Sequence, residues 1–140
     1  MRKNLSPEDL GDFLEQAKNA VLATQYADGT VLLSPVWYEW REGAFEIVIG
    51  ANDVKARHLR RDPRASAVVA EDVPPYRGLE VRGVATVRPA ADAGIMRRVA
   101  RRYLGVEAGD RYTDQMDSAD QVVIRIAPGH LRAWDFADEF

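Results

Sequence analysis

Cysteine is absent from this chain of 140 residues, and histidine occurs only twice, as His58 and His130. The absence of thiols excludes a disulfide framework, a thiolate zinc site and a cysteine nucleophile. Two histidines argue against a multi-histidine metal site. The motifs G-x-G-x-x-G, Walker A and the nucleophile elbow are also missing, so no common nucleotide or hydrolase signature is available.

Long apolar runs and a strong charge of one sign are missing as well. The N-terminal segment MRKNLSPEDL lacks the apolar run of a signal peptide, and no stretch approaches the ~20 apolar residues of a membrane span. We therefore expect a cytoplasmic protein with no membrane partner. The formal net charge is −3, which gives no overall attraction to nucleic acid, so we expect no nucleic-acid partner.

What is present is typical of one globular domain. A length of 140 residues and a hydrophobic content of 46% suffice for a single core, so residues 1–140 are expected to form one domain. Ser6, Pro7 and the acids after them predict a helix near residues 7–18. Runs rich in β-branched and aromatic residues at 20–26, 30–40 and 44–50 predict three strands. Asp-Gly and Glu-Gly turns separate these strands.

The second half continues the pattern. Asp53 and the Asp62-Pro63 pair bound a short helix. Strands are predicted at 65–71, 79–87 and 121–127, with residues 130–136 either extending the last strand or packing at an edge. Asp92 and Gly105 bound another helix, and residues 106–120 are predicted to be a mobile loop. At least six strands with three helices at hairpin ends indicate a mainly β protein, an antiparallel barrel.

The segment NDVKARHLRRDPR, residues 52–64, is the densest group of cations. Lys55 falls in the first turn of the predicted helix, where the helix dipole disfavours a cation. Its position is explained if an anion such as a phosphate binds there. The alternative is a solvated lysine whose penalty is reduced by Asp53 and water. Arg60 and Arg61 lie in the last turn, where cations are favoured, and His58 is interpreted as a surface or packing residue.

The segment LSPVWY, residues 33–38, is the second unusual place. Pro35 cannot donate a ladder hydrogen bond, so this part of the strand lies at an edge or a bulge. Exposed backbone beside Trp37 and Tyr38 could cradle a flat ring system. The alternative is a proline that protects an edge, with the aromatic residues in the core. The four arginines at 97, 98, 101 and 102 are interpreted as a solvated helix face.

These two segments, in this order, carry a family resemblance. The chain resembles the pyridoxamine 5′-phosphate oxidase-like, split-β-barrel flavin-binding superfamily, and within it the actinobacterial branch that uses FMN or the deazaflavin F420. The similar segments are AVLATQYADGTVLLSPVWYEW, FEIVIGANDVKARHLRRDPRASAVV, YRGLEVRGVATV and VVIRIAPGHLRAWD. They cover nearly the whole chain. The K-A-x-x-L-x-x-D-P-R run from Lys55 to Arg64 is the most specific part.

The resemblance implies a six-stranded antiparallel split β-barrel with about three peripheral helices. It implies a homodimer with F420 or FMN at the subunit interface, and an oxidoreductase that moves a hydride to or from a small organic substrate. A non-catalytic carrier or sensor that binds flavin, F420 or haem is the alternative. No catalytic residue is assigned. The residues that the resemblance places at the cofactor are Ser34, Pro35, Val36, Trp37, Ile49, Gly50, Asn52, Lys55 and Ala56, with Lys55 on the phosphate.

The chain also departs from the family pattern. Strong FMN binders usually carry Ser-Arg or a similar pair just before the lysine, where this chain has Asp53-Val54. They also tend to carry an arginine in the earlier strand, where this chain has Leu32-Leu33. Fewer cations leave F420 or a weakly held flavin open. The family's C-terminal substrate segment has no clear counterpart after Trp134, so pyridoxamine oxidase activity is not expected.

Overall fold

A computed structural model describes residues 1–140 as a curled antiparallel half-barrel. Its seven strands run in the sheet order β2-β1-β5-β6-β7-β4-β3. Their bounds are β1 Ala20–Gln25, β2 Val31–Val36, β3 Glu39–Arg41, β4 Ala44–Gly50, β5 Arg64–Ala70, β6 Gly78–Pro89 and β7 Gln121–Trp134. The prediction of a mainly β, antiparallel barrel is confirmed. The strand count is seven because the run at 30–40 breaks at Trp37 and Tyr38 into two strands.

This break splits the barrel. Strands β2 and β3 follow one another in the chain, yet they lie at opposite edges of the sheet. Only Trp37 and Tyr38 join them, so the two edges must come close at this point and the sheet must curl. Residues 130–136 were expected either to extend the last strand or to pack at an edge. They extend it, since β7 continues to Trp134. The register of the long β6–β7 pair shifts by one residue at a bulge between Arg82 and Gly83.

Three α-helices cap the barrel: α1 Val54–Arg61, α2 Gly94–Leu104 and α3 Val106–Asp114. Short 3-10 helices occupy Pro7–Leu10, Phe13–Glu15, Ser118–Asp120 and Ala137–Glu139. None of the helices has the length and apolar character needed to cross a bilayer. The predicted bounds of α1 are confirmed, because Asp53 caps its start and the helix ends before Asp62.

The prediction of one helix at 7–18 is wrong. Two short 3-10 helices stand there, separated by Gly11 at φ 64°. The carbonyl of Leu10 accepts a hydrogen bond of 2.8 Å from Arg77 Nη1. A tertiary contact therefore takes an acceptor that a continuous helix would have used.

The prediction of a mobile loop at 106–120 is also wrong, because helix α3 occupies most of it. Gly109 lies so close to α2 that an added Cβ would be 2.6 Å from the backbone nitrogen of Arg101. Asp110 accepts hydrogen bonds from Arg97 (2.9 Å) and Arg101 (2.7 Å). The interpretation of the arginines as a solvated face holds for Arg98 and Arg101, which are exposed, whereas Arg97 and Arg102 are partly buried. Arg102 is bound too, donating to Leu14 O at 2.8 Å.

The core lies inside the curl of the sheet. Leu79, Val81 and Ala85 of β6 are buried, as the alternation at 79–87 predicted, and Phe45 and Ile47 of β4 are buried on the same side of the barrel wall. Period-2 alternation places these side chains on one face of each strand. The opposite face of β2 and β6 is exposed.

Candidate functional site

Two sheet edges that lack a partner strand face each other where the barrel splits. Strand β3 pairs with β4 over three residues only, with Glu39 opposite Glu46. Beyond that point residues 47–50 of β4 pair with β7 alone, and β2 pairs with β1 alone. Continuing the β3–β4 register across the Trp37-Tyr38 link places Val36 opposite Ile49 and Pro35 opposite Gly50. We call this gap, between residues 31–36 and 47–50, the seam.

The predicted site residues lie along the seam and at its open end. Ser34 and Pro35 are on β2, and Trp37 follows in the link to β3. Ile49 and Gly50 end the facing strand. Asn52, Lys55 and Ala56 come next, in the turn and the first turns of α1, and the side chains of Ala56 and Val36 are buried. Both Val36 and Ala56 can therefore offer a ligand little beyond backbone.

Lys55 already has an anion beside it. Its Nζ lies 3.0 Å from Oδ1 and 3.2 Å from Oδ2 of Asp53. The Oδ1 of Asp53 also accepts the backbone N–H of Lys55 at 2.9 Å, which caps α1. Burial raises the pKa of the Asp53 carboxyl, but the hydrogen bonds from Lys55 outweigh it and the pKa is lowered. Asp53 was expected to reduce the unfavourable interaction between Lys55 and the helix dipole, and its carboxylate is in contact with Lys55.

An aromatic cluster closes the other end of the seam. The rings of Trp37 and Tyr103 are stacked, with centroids 4.9 Å apart and planes 8° from each other. Tyr112 of α3 lies against Trp37 at 5.3 Å and a tilt of 54°. The hydroxyl of Tyr103 donates to Lys18 O at 2.6 Å and accepts from Tyr38 N at 3.1 Å. Trp37 therefore has a fixed plane beside the seam.

Tyr103 and Tyr112 were missed as site residues. Tyr103 was interpreted only as part of the apolar stripe of its helix, and Tyr112 lay in the predicted loop. One signal was present: Glu107 and Arg111 stand at helical i,i+4 spacing, and their side chains are 3.0 Å apart. Such a pair favours a helix over a loop.

Tyr38 belongs to the core rather than to a ring-binding surface. Its side chain is fully buried, its ring meets Phe45 edge-on at 5.1 Å, and the guanidinium of Arg102 lies 4.9 Å from its centroid. Burial raises the pKa of its hydroxyl to about 12. The two aromatic residues were expected either to lie in the core or to border a ring-binding surface. Tyr38 lies in the core, whereas the half-buried Trp37 borders the seam.

His58 is a packing residue, as predicted. It is buried, its Nδ1 is 2.9 Å from Thr24 Oγ1, and its ring meets Tyr26 edge-on at 4.5 Å. Burial, with the nearby charges of Arg61 and Arg57, lowers its pKa. No group of three or more His, Cys, Asp or Glu side chains converges in a way that could hold a metal ion.

The largest groove lies apart from the predicted site residues. It has a volume of about 820 Å³ on the outer face of the sheet, and its lining includes Val31, Ser66, Arg82, Val84 and His130. Of the seam it touches only Val31. The seam is therefore not part of this groove.

The residues of the seam fit a flat, polar ring carrying an anionic tail. Two strand edges offer free backbone N–H and C=O groups, which require partners when a ligand excludes water. Gly50 adds no side chain, and nothing lies within 4 Å of the place a Cβ would take. Lys55, with its Nζ at the open end, can bind a phosphate.

The fold defines a protein of the split-β-barrel class. Residues 6–135 match the family model of pyridoxamine 5′-phosphate oxidase, and the chain belongs to this family. The resemblance seen in the sequence is thereby confirmed. No curated protein matches the chain.

Several solved structures are similar. A conserved hypothetical protein, Rv2991 from Mycobacterium tuberculosis, is 29% identical with a TM-score of 0.77, over 96% of this chain and 88% of that one. An F420 reductase is 27% identical with a TM-score of 0.75, over 90% of this chain and 98% of that one. HutZ, a haem storage protein from Vibrio cholerae, is 20% identical with a TM-score of 0.66, over 89% of this chain and 92% of that one, and shows the fold alone.

Proposed function

We propose that this chain is an F420- or FMN-dependent oxidoreductase that moves a hydride to or from a small organic substrate. The observation that carries the proposal is the seam, two facing strand edges without partners, with Lys55 at its open end. The likeness to an F420 reductase supports the same assignment. When bound, a flavin or deazaflavin ring supplies the hydride chemistry itself.

The protein's own residues would bind and orient. Backbone groups of residues 34–36 and 49–50 hold the polar edge of the ring, and Lys55 holds the phosphate. Trp37, kept in plane by Tyr103, walls one end and excludes water. The seam carries no side chain of the usual general acids or bases, so no proton transfer is assigned to the protein.

Titration of FMN and of F420, followed optically, tests binding. Turnover is tested by adding the reduced cofactor with candidate acceptors. Oxidation of the cofactor only when protein is present supports the enzyme. If neither cofactor binds at 100 µM protein, where a Kd of that size corresponds to a binding free energy of about −5.5 kcal/mol, the proposal is contradicted.

We also propose a homodimer with the cofactor at the interface. Leu33 and Val31, on the outer face of β2 beside the seam, are 65% and 52% exposed. Apolar side chains on an edge strand favour association. Light scattering of the wild type should give twice the mass of one chain. Leu33→Glu should give one chain, whereas Val106→Glu, at an equally exposed site on α3, should leave the dimer intact.

The second candidate is a carrier or sensor that binds flavin, F420 or haem without turnover. The seam carries no acidic or basic side chain, and this is as compatible with such a carrier as with an enzyme whose cofactor performs the chemistry. For haem, His130 is the accessible histidine, because His58 is buried against Thr24. A haem titration of the wild type and of His130→Ala tests this case. A Soret band that appears in the wild type and is lost in His130→Ala supports haem binding through His130. A band that is the same in both proteins excludes His130 as the ligand.

A further inference from the structure

Asp53 and Lys55 form an ion pair at the place where a cofactor phosphate would dock. The Lys55 side chain is only 16% exposed and Asp53 is 30% exposed, so both are held against the protein rather than free in solvent. Nζ lies 3.0 Å from the Asp53 carboxylate. A phosphate oxygen in contact with Nζ would be at most about 6 Å from that carboxylate, since such charged bonds are ~2.8 Å long.

We infer that Asp53 is a specificity-determining residue that shifts the preference at Lys55 from a phosphomonoester toward a phosphodiester. The inference rests on the proposed function. A phosphomonoester has a second pKa of ~6 and carries close to two negative charges at pH 7.5. A phosphodiester keeps one. Repulsion by Asp53 therefore acts twice as strongly on the monoester, and it offsets part of the extra attraction that Lys55 exerts on the second charge.

The two candidate cofactors differ in this group. FMN ends in a phosphomonoester, whereas the phosphate of F420 is a diester. For two charges ~6 Å apart near a surface, and after allowing for solvent screening, the extra repulsion corresponds to about a threefold difference in Kd. Asp53 thus shifts the selectivity toward the deazaflavin without touching its ring.

The other charges nearby do not supply this discrimination. Arg57 and Arg60 are exposed on the same helix, and Arg60 donates to Ala51 O at 2.8 Å. They attract both kinds of phosphate. Asp53 is the acid in hydrogen-bond contact with Lys55.

Three probes with one ring system isolate the phosphate: riboflavin, FMN and the monomethyl ester of FMN. Asp53→Asn keeps the cap, because an asparagine oxygen accepts the same backbone hydrogen bond, and removes only the charge. At pH 7.5 the affinity for FMN relative to the methyl ester should be about threefold lower in the wild type than in Asp53→Asn, and at pH 5, where FMN carries one charge, this ratio should be the same in both proteins. In Asp53→Asn, FMN should gain about tenfold, the methyl ester about threefold and riboflavin nothing.

Controls separate this inference from the proposed function. Asp62→Asn removes the same charge at the other end of α1 and should leave all three Kd values unchanged. If none of the probes and no F420 bind to either protein, the proposed function is wrong. If they bind but the ratio of FMN to methyl ester is the same in wild type and Asp53→Asn, only the role of Asp53 is wrong.

Discussion

The indole of Trp37 lies parallel to the phenol ring of Tyr103, with centroids 4.9 Å apart and planes inclined by 8°. Trp37 sits in the two-residue link at which one strand of the barrel becomes two. Tyr103 sits on α2, and its hydroxyl bonds to the backbone of Tyr38 in that link and of Lys18, just before β1. The helix pair therefore holds the closed end of the seam.

Tyr103→Phe tests this attachment. The stack should survive, but Tyr38 N and Lys18 O lose a partly buried partner, so the free energy of unfolding should fall by ~1–2 kcal/mol. Urea denaturation measures it. Tyr112→Phe is the matched control, because the Tyr112 hydroxyl makes no hydrogen bond in the structure and should be removable without cost. Equal stabilities for the two variants would contradict the bridging role.

Lys55→Ala tests the phosphate site. We expect the Kd of the cofactor to rise by the equivalent of ~1.5–3 kcal/mol, the range for a hydrogen bond to a charged group. Removal of Lys55 also leaves Asp53 without its partner, which adds repulsion. Lys3→Ala, an exposed lysine elsewhere, should bind normally. An unchanged affinity in Lys55→Ala would move the phosphate to another part of the chain.

Local signals predicted those elements that neighbouring residues decide. Asp28 accepts the Thr30 N–H in the first hairpin, Asp53 caps α1, and alternation placed Leu79 and Val81 inside. The wrong predictions involve residues whose conformation depends on distant contacts. The helix predicted at 7–18 is interrupted at Gly11, where the preceding carbonyl of Leu10 accepts a hydrogen bond from Arg77. The loop predicted at 106–120 is largely helix α3, which is held against α2 through Gly109 and Asp110.

The site was predictable only in part, for the same reason. Family resemblance gave the expected cofactor positions from Ser34 to Ala56, and the Asp53–Lys55 contact follows from local spacing. The seam itself depends on β3 stopping after three paired residues, which no short pattern encodes. Tyr103 and Tyr112 reach Trp37 across more than sixty positions of sequence, so no local signal pairs them with it.

The ion pair of Arg2 and Asp135 predicts an acid-dependent loss of stability. Hydrogen bonds from Arg2 hold the pKa of the Asp135 carboxyl at about 2, below its ordinary 3.8. The folded state therefore binds this proton less readily than the unfolded chain. The contribution is complete above pH ~4 and is lost as the pH falls toward 2. Between pH 5 and pH 2.5, the unfolding free energy of Asp135→Asn should fall by roughly 1 kcal/mol less than that of the wild type. This figure includes a reduction for solvent screening, because Arg2 is half exposed.

Gly109→Ala tests whether α3 holds its place against α2. The added methyl would stand 2.6 Å from Arg101 N and 2.7 Å from Arg101 Cα, and backbone cannot move aside as a flexible side chain can. Helix α3 must shift outward, at a cost of ~1–3 kcal/mol for overpacking. Tyr112 should then lose its contact with Trp37, and the fluorescence of Trp37 should change. The Trp37 contribution is obtained by subtracting the spectrum of the same protein with Trp37→Phe. Glu107→Ala, a 92% exposed position on the same helix, should leave that signal as it is. If Gly109→Ala matched this control in stability and in fluorescence, the close approach of the two helices would not be what places Tyr112 at the seam.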